Sequence, residues 1–163
     1  MAGLHYTAVH VRDLLGLSRT ELQRWLSALP PFNQAQTKAR TARRFTITDL
    51  AFFSIVAILH QRLGISLSSI TAFSALLHEQ LDMRAALANT SIRIYLNQSD
   101  EGSWDISTEV QGPLSVALDL EPVWHAVYQF VGVAVPAQRE LALGLVSLPP
   151  PTTQEHNHGR MVR

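Results

Sequence analysis

Apolar positions recur at helical spacing from the start of the chain. Val11, Leu14 and Leu15 fall at i, i+3 and i+4, which predicts a short helix over residues 8–16 closed by Gly16. Leu17-Ser18 reads as a turn. Ser18 is an N-cap residue, and Glu21 follows at capping-box spacing, so a second helix is expected over about 19–28. That helix carries Leu22, Trp25 and Leu26 on one face and Arg19, Thr20, Gln23 and Arg24 on the other. Two short helices joined by a tight turn make a helix-turn-helix. Pro30-Pro31 stops the second helix. Asn33–Arg44 is polar, with no apolar residue larger than Ala, and reads as a loop or short hairpin. Phe45 returns the chain to the core. Thr46 or Thr48 then caps a long helix over about 47–63, with Asp49 near the positive end of its dipole. Ser66 opens a further helix over about 67–88, with Leu67, Ile70, Phe73, Leu76, Leu77 and Leu81 in phase.

Beyond residue 90 the period changes from helical to alternating. Ile92, Ile94 and Leu96 alternate with Arg93, Tyr95 and Asn97, which predicts a strand. Trp104 and Ile106 suggest a second strand. Leu114, Val116, Leu118 and Leu120 give a third, the clearest in the chain. Pro122 suits the first turn of a helix over about 122–132. The expected class is therefore α+β, mainly helical over residues 6–75 and mixed over 76–147. A short apolar element is expected at 138–147, and a Pro- and His-rich tail over 148–163 is expected to be disordered.

Composition narrows the classes. With 163 residues the chain is sized for one domain or a small domain with a second half. Apolar residues make up 47%, which supports a sizeable core, whereas charged residues are only 16%, below the roughly 25% usual for soluble domains. A surface so poor in charge suggests cover by a partner or a second copy. The absence of cysteine excludes disulfide scaffolds, thiol catalysis and thiolate metal sites. No apolar run reaches the length of a membrane span and no signal peptide is evident, so a cytoplasmic protein is expected. The net charge of +0 hides an asymmetry, since residues 1–45 carry seven cations (Arg12, Arg19, Arg24, Lys38, Arg40, Arg43, Arg44) against Asp13 and Glu21. The remainder is acidic. A basic opening quarter on an acidic remainder points to a polyanion-binding face.

Catalytic readings are weak. His156-Asn157-His158 mimics a metal-nuclease triplet but lies in the tail, and His60 and His78 show no carboxylate or third ligand at metal spacing. Asp100-Glu101 reads as a turn pair, and no phosphate-binding glycine loop is present. No enzymatic activity, cofactor or metal is expected. Tyr95, Trp104, Trp124, Tyr128 and Phe130 would build either an effector pocket or, as the favoured reading, a core.

Four segments together carry a family resemblance. They are Val11-Arg12-Asp13-Leu14-Leu15-Gly16-Leu17-Ser18, Leu22-Gln23-Arg24-Trp25, Arg43-Arg44-Phe45-Thr46-Ile47-Thr48-Asp49-Leu50 and Gly64-Ile65-Ser66-Leu67-Ser68-Ser69-Ile70. In this order and spacing, residues 6–75 resemble the MerR-type winged helix-turn-helix DNA-binding domain. The sequence departs from the family where Ala28-Leu29-Pro30 replaces its usual Gly-Leu-Leu, in a wing without glycine, and in lacking the long terminal dimerisation helix. Activation by untwisting a promoter spacer is therefore not carried over. The resemblance implies a sequence-specific regulator of double-stranded DNA, bacterial or phage in type and acting as a homodimer. Its expected contacts are Arg12, Ser18, Arg19, Thr20, Gln23 and Arg24 from the bihelical unit, with Lys38, Arg40, Arg43 and Arg44 from the wing on the backbone. Arg12 has a second reading as a surface partner of Asp13, and Arg44 as a partner of Asp49. An alternative function is an antitoxin-like interaction protein that grips a partner through residues 88–147 and represses its own promoter.

Overall fold

The structure, a computed structural model, describes residues 5–34, 42–86 and 93–133. Among these residues, five α-helices and a three-stranded antiparallel sheet give the mixed α+β class that the change of period predicts. Helices α1 (Ala8–Leu15), α2 (Arg19–Ala28), α3 (Ile47–Ala57) and α4 (Leu67–Ala86) precede strands β1 (Arg93–Gln98), β2 (Trp104–Ser107) and β3 (Leu114–Asp119), and α5 (Glu121–Val131) follows them. The apolar stretch expected at 138–147 and the tail from 148 lie outside the described residues.

Helix α3 is the hub. Eight of its 11 residues are buried, from Thr48 to Val56, so it has no wet face. It packs against α1, α4 and α5. Thr46 is the N-cap, which resolves the choice between Thr46 and Thr48: its Oγ1 accepts from the Asp49 N–H (3.2 Å) and its own N–H donates to Asp49 Oδ2 (2.7 Å). The single long helix expected over 47–63 is instead an α-helix that widens into a π turn at Ile58–Arg62. There the Leu63 N–H donates to Ile58 O (3.1 Å), and the Ile65 N–H reaches Leu59 O (3.0 Å). The extra residue in this turn keeps both Leu59 and Ile65 buried before α4 begins. An aromatic cluster fills the space beside α3: Phe32 lies 4.7 Å from Phe53 and 5.4 Å from Phe52, and Phe45 lies 5.9 Å from Phe53, centroid to centroid.

The helical and mixed halves share one core. The division drawn at residue 75 falls inside α4, and the buried cluster runs from Val11 through Phe73, Leu77 and Leu81 to Ile94, Leu96, Ile106, Trp124 and Val127. In the sheet the order is β2-β1-β3, with Leu96 opposite both Ile106 and Val116 and Ile94 opposite Leu118. The central strand therefore buries Ile94 and Leu96 as its alternation predicts. The strand with the clearest alternation, β3, is an edge strand, and its Leu114 stays exposed while Val116 and Leu118 are half-buried. Periodicity reports the pleat but says nothing of how much covers it. Of the five aromatics expected in the core of the second half, only Trp124 is fully buried. Tyr95, Trp104 and Tyr128 are half-buried, and Phe130 is exposed.

Asn97, on the face of β1 opposite Ile94 and Leu96, is also buried. It is buried because residues 107–111 fold over it, and its side chain is fully engaged. Nδ2 donates to Ser107 Oγ (2.9 Å) and Glu109 O (3.1 Å), while Oδ1 accepts from the Gln111 N–H (3.0 Å) and from Ser115 Oγ. Gly112, at φ 77°, makes this fold possible, since a Cβ there would sit 2.8 Å from Gln98 O. No helix among the described residues is long and apolar enough to cross a membrane.

Candidate nucleic-acid interface

Local chemistry fixes the two opening helices tightly. Gly16, at φ 66°, caps α1 in the left-handed conformation. Arg12 reaches across the turn that follows, its Nε donating to Leu17 O (3.3 Å), rather than pairing with Asp13. Ser18 and Glu21 form the expected capping box: the Glu21 N–H donates to Ser18 Oγ (3.2 Å), and the Ser18 N–H donates to Glu21 Oε2 (2.8 Å). These bonds hold the exposed Glu21 carboxyl below its ordinary range. The cap contribution is present while Glu21 is ionised, above the unfolded value of 4.5, and is lost as pH falls through the lower folded value. Ser18→Ala is expected to cost about 1 kcal/mol of stability, read as a lowered urea midpoint at neutral pH. The deficit should shrink on acidification.

Helix α2 then separates its faces cleanly. Leu22, Trp25 and Leu26 are buried, and the Trp25 ring meets His60 of the π turn edge-on at 6.1 Å. On the other side Arg19, Thr20, Gln23 and Arg24 are all exposed and, with Ser27, line one shallow depression. Ser27 is absent from the sequence-based set, although its position one turn beyond Gln23 and Arg24 places it on their face. Its hydroxyl donates back to Gln23 O (2.8 Å). Among the described residues, neither Arg19 nor Arg24 is engaged by a carboxylate. The helix ends at Leu29, whose N–H donates to Trp25 O, just before the cis Pro30-Pro31 bond.

The cationic segment divides in two. Lys38 and Arg40 lie outside the described residues. Arg43 is half-buried, and its Nη2 donates to Phe32 O (3.0 Å), which ties the returning chain to the turn that follows α2. Arg44 is exposed. The expected alternative pairing of Arg44 with Asp49 is not made. Asp49 Oδ1 instead meets His78 Nε2 of α4 at 2.6 Å, while Oδ2 serves the Thr46 cap. His78 therefore has one carboxylate partner, and no group of three or more potential metal ligands forms among the described residues. At Phe45 the returning chain forms an antiparallel bridge with Tyr6: the Tyr6 N–H donates to Phe45 O (2.7 Å) and the Phe45 N–H to Tyr6 O (2.8 Å). The entry to α1 and the end of the cationic segment are thus bonded directly to each other.

The arrangement presents a polar, arginine-bearing helix face on a rigid base, and a helix of this kind is wide enough to fill a major groove. In comparisons with known proteins, no family model and no curated protein matches the chain.

Proposed function

We propose that this chain is a sequence-specific regulator that reads double-stranded DNA through a winged helix-turn-helix, with α2 as the recognition helix. One observation carries the reading: the exposed face of α2 gathers Arg19, Thr20, Gln23, Arg24 and Ser27, with its two guanidinium groups unclaimed by carboxylates among the described residues. Arginine suits bidentate recognition of guanine, and Gln suits adenine. The buried Leu22, Trp25 and Leu26 hold that face at a fixed angle, so groove entry costs little ordering. In this reading Ser18 and Arg12 sit at the helix junction near phosphates, and Lys38, Arg40, Arg43 and Arg44 form the wing and its base on the DNA backbone. The protein acts in the cytoplasm as a homodimer on a two-fold site.

The test is enrichment from a random duplex library by the full chain, followed by anisotropy titrations across salt. A recovered consensus supports the reading, and the absence of any enriched sequence overturns it. Arg40→Ala is expected to weaken binding to all duplexes alike and to reduce the slope of log affinity against log salt by about 1, because one phosphate contact is lost.

A second reading draws on the edge of β3, where Leu114 is exposed and Val116 and Leu118 are only half-buried. In an antitoxin-like protein this edge would grip a partner protein while α2 represses the promoter. Co-purification with a toxic protein encoded beside it, lost when Val116 is replaced by Lys, would favour that reading over a pure regulator.

A further inference from the structure

His78 joins three elements: α4, the start of α3 and the Phe32 turn. It projects from α4, and its Nε2 lies 2.6 Å from Asp49 Oδ1 at the start of α3. Its ring meets Phe32 and Phe52 edge-on, each at 5.5 Å. Two of these neighbours, Asp49 and Phe32, lead toward the returning cationic segment. Asp49 holds the Thr46 N–H, two residues after Arg44. Phe32 presents its carbonyl to Arg43. The imidazole is half-buried with a side-chain exposure of 21%, so it is neither a solvated surface group nor a fully enclosed core residue. An acid of α4, Asp82, accepts from Thr48 Oγ1 (3.4 Å) one turn along, so α3 and α4 are pinned twice at the same end.

We infer that His78 is a positioning residue for DNA binding: its bond to Asp49 and its packing on Phe32 set where Arg43 and Arg44 stand relative to α2. The inference rests on the DNA reading and adds to it a residue that touches no duplex. His78 acts by leverage. Arg44 is exposed and follows a residue whose guanidinium is held by Phe32 O, so its position is set by the Phe32 turn, the Thr46 cap and the Tyr6 bridge. His78 contacts the first of these directly and the second through a single carboxylate. When the Nε2–H bond is removed, Asp49 keeps only the cap, and the aromatic wedge between α4 and the Phe32 turn loses its polar anchor.

The test uses three full-length chains: wild type, His78→Phe and His78→Gln. The phenyl ring keeps the packing against Phe32 and Phe52, so the chain folds, but it has no donor for Asp49. The glutamine amide reaches the place of Nε2 and keeps the donor. Each chain is titrated across salt with the duplex enriched by the wild type and with a scrambled duplex, and each is melted to monitor folding. His78→Phe is expected to lose about tenfold in affinity for both duplexes, about 1.4 kcal/mol, with a salt slope shallower by about 1 as the Arg44 contact is lost. Its preference between the two duplexes stays as in the wild type because α2 is undisturbed. His78→Gln retains the wild-type slope. If His78→Phe melts lower yet binds with the wild-type affinity and slope, His78 is a stability residue only and the inference is overturned. If the wild type itself binds no duplex, the DNA reading fails and the inference falls with it.

Discussion

Replacing Arg24 by Ala is expected to weaken binding to the preferred duplex by about 1–3 kcal/mol and to relax the preference at one base pair. The size of the effect follows from position. Arg24 lies in the middle of α2, on the face opposite the buried Trp25 and Leu26, and is exposed without a carboxylate partner among the described residues. A bidentate contact from such a side chain pairs two acceptors of one guanine, and its loss leaves both to compete with water. The outcome is diagnostic because a phosphate contact behaves differently: it would lower affinity for every sequence and reduce the salt slope without changing the preferred base. A titration of single-base variants of the duplex separates the two. Arg93→Ala, at the start of β1, serves as the control for lost surface charge and should leave both affinity and preference unchanged.

Trp25→Ala is expected to destabilise the fold by about 3–5 kcal/mol. Trp25 is 3% exposed, lies edge-on to His60, and forms the centre of the only apolar face that α2 has. A cavity of indole size beneath a ten-residue helix cannot be closed by small shifts, since α2 is anchored at one end by Ser18 and stopped at the other by Pro30-Pro31. Urea unfolding followed by circular dichroism measures the loss. At partial denaturation α2 should detach first, so DNA binding fails at lower urea than global unfolding.

These two neighbouring residues show how far the sequence could be read. The amphipathic division of α2 and its cap are local, set by residues within one or two turns, and the pattern of Ser18, Glu21, Leu22, Trp25 and Leu26 determined them correctly. What escaped depends on partners distant in sequence. Asp49 was legible as a first-turn acid, yet its choice of His78 over Arg44 depends on α4 packing across α3, 29 residues on. The π turn at Ile58–Arg62 was invisible, because hydropathy at a spacing of four looks the same with one wider turn. The alternation places Asn97 on the face opposite Ile94 and Leu96, but its burial depends on the 107–111 segment folding over it, which no local pattern encodes. Alternation marked β3 most clearly of all, but its place at the sheet edge is a matter of topology, which no periodicity encodes. Within the candidate site, the face of α2 was legible in full apart from Ser27. The roles of Arg12 and Arg43 as backbone tethers were not, because a carbonyl partner leaves no trace in side-chain chemistry.

The two hydrogen bonds between Tyr6 and Phe45 close residues 6–45 into a ring at the point where its two ends meet. Helices α1 and α2 lie inside that ring, with Val11, Leu22, Trp25 and Leu26 buried in the shared core, while α3 begins just beyond it. Closing such a ring costs entropy only logarithmically in its circumference, about 0.6 kcal/mol for each doubling. A change of length between Gln34 and Ala42 is therefore expected to cost little in stability, because Phe32 and Phe45, on either side of it, keep their places against Phe53.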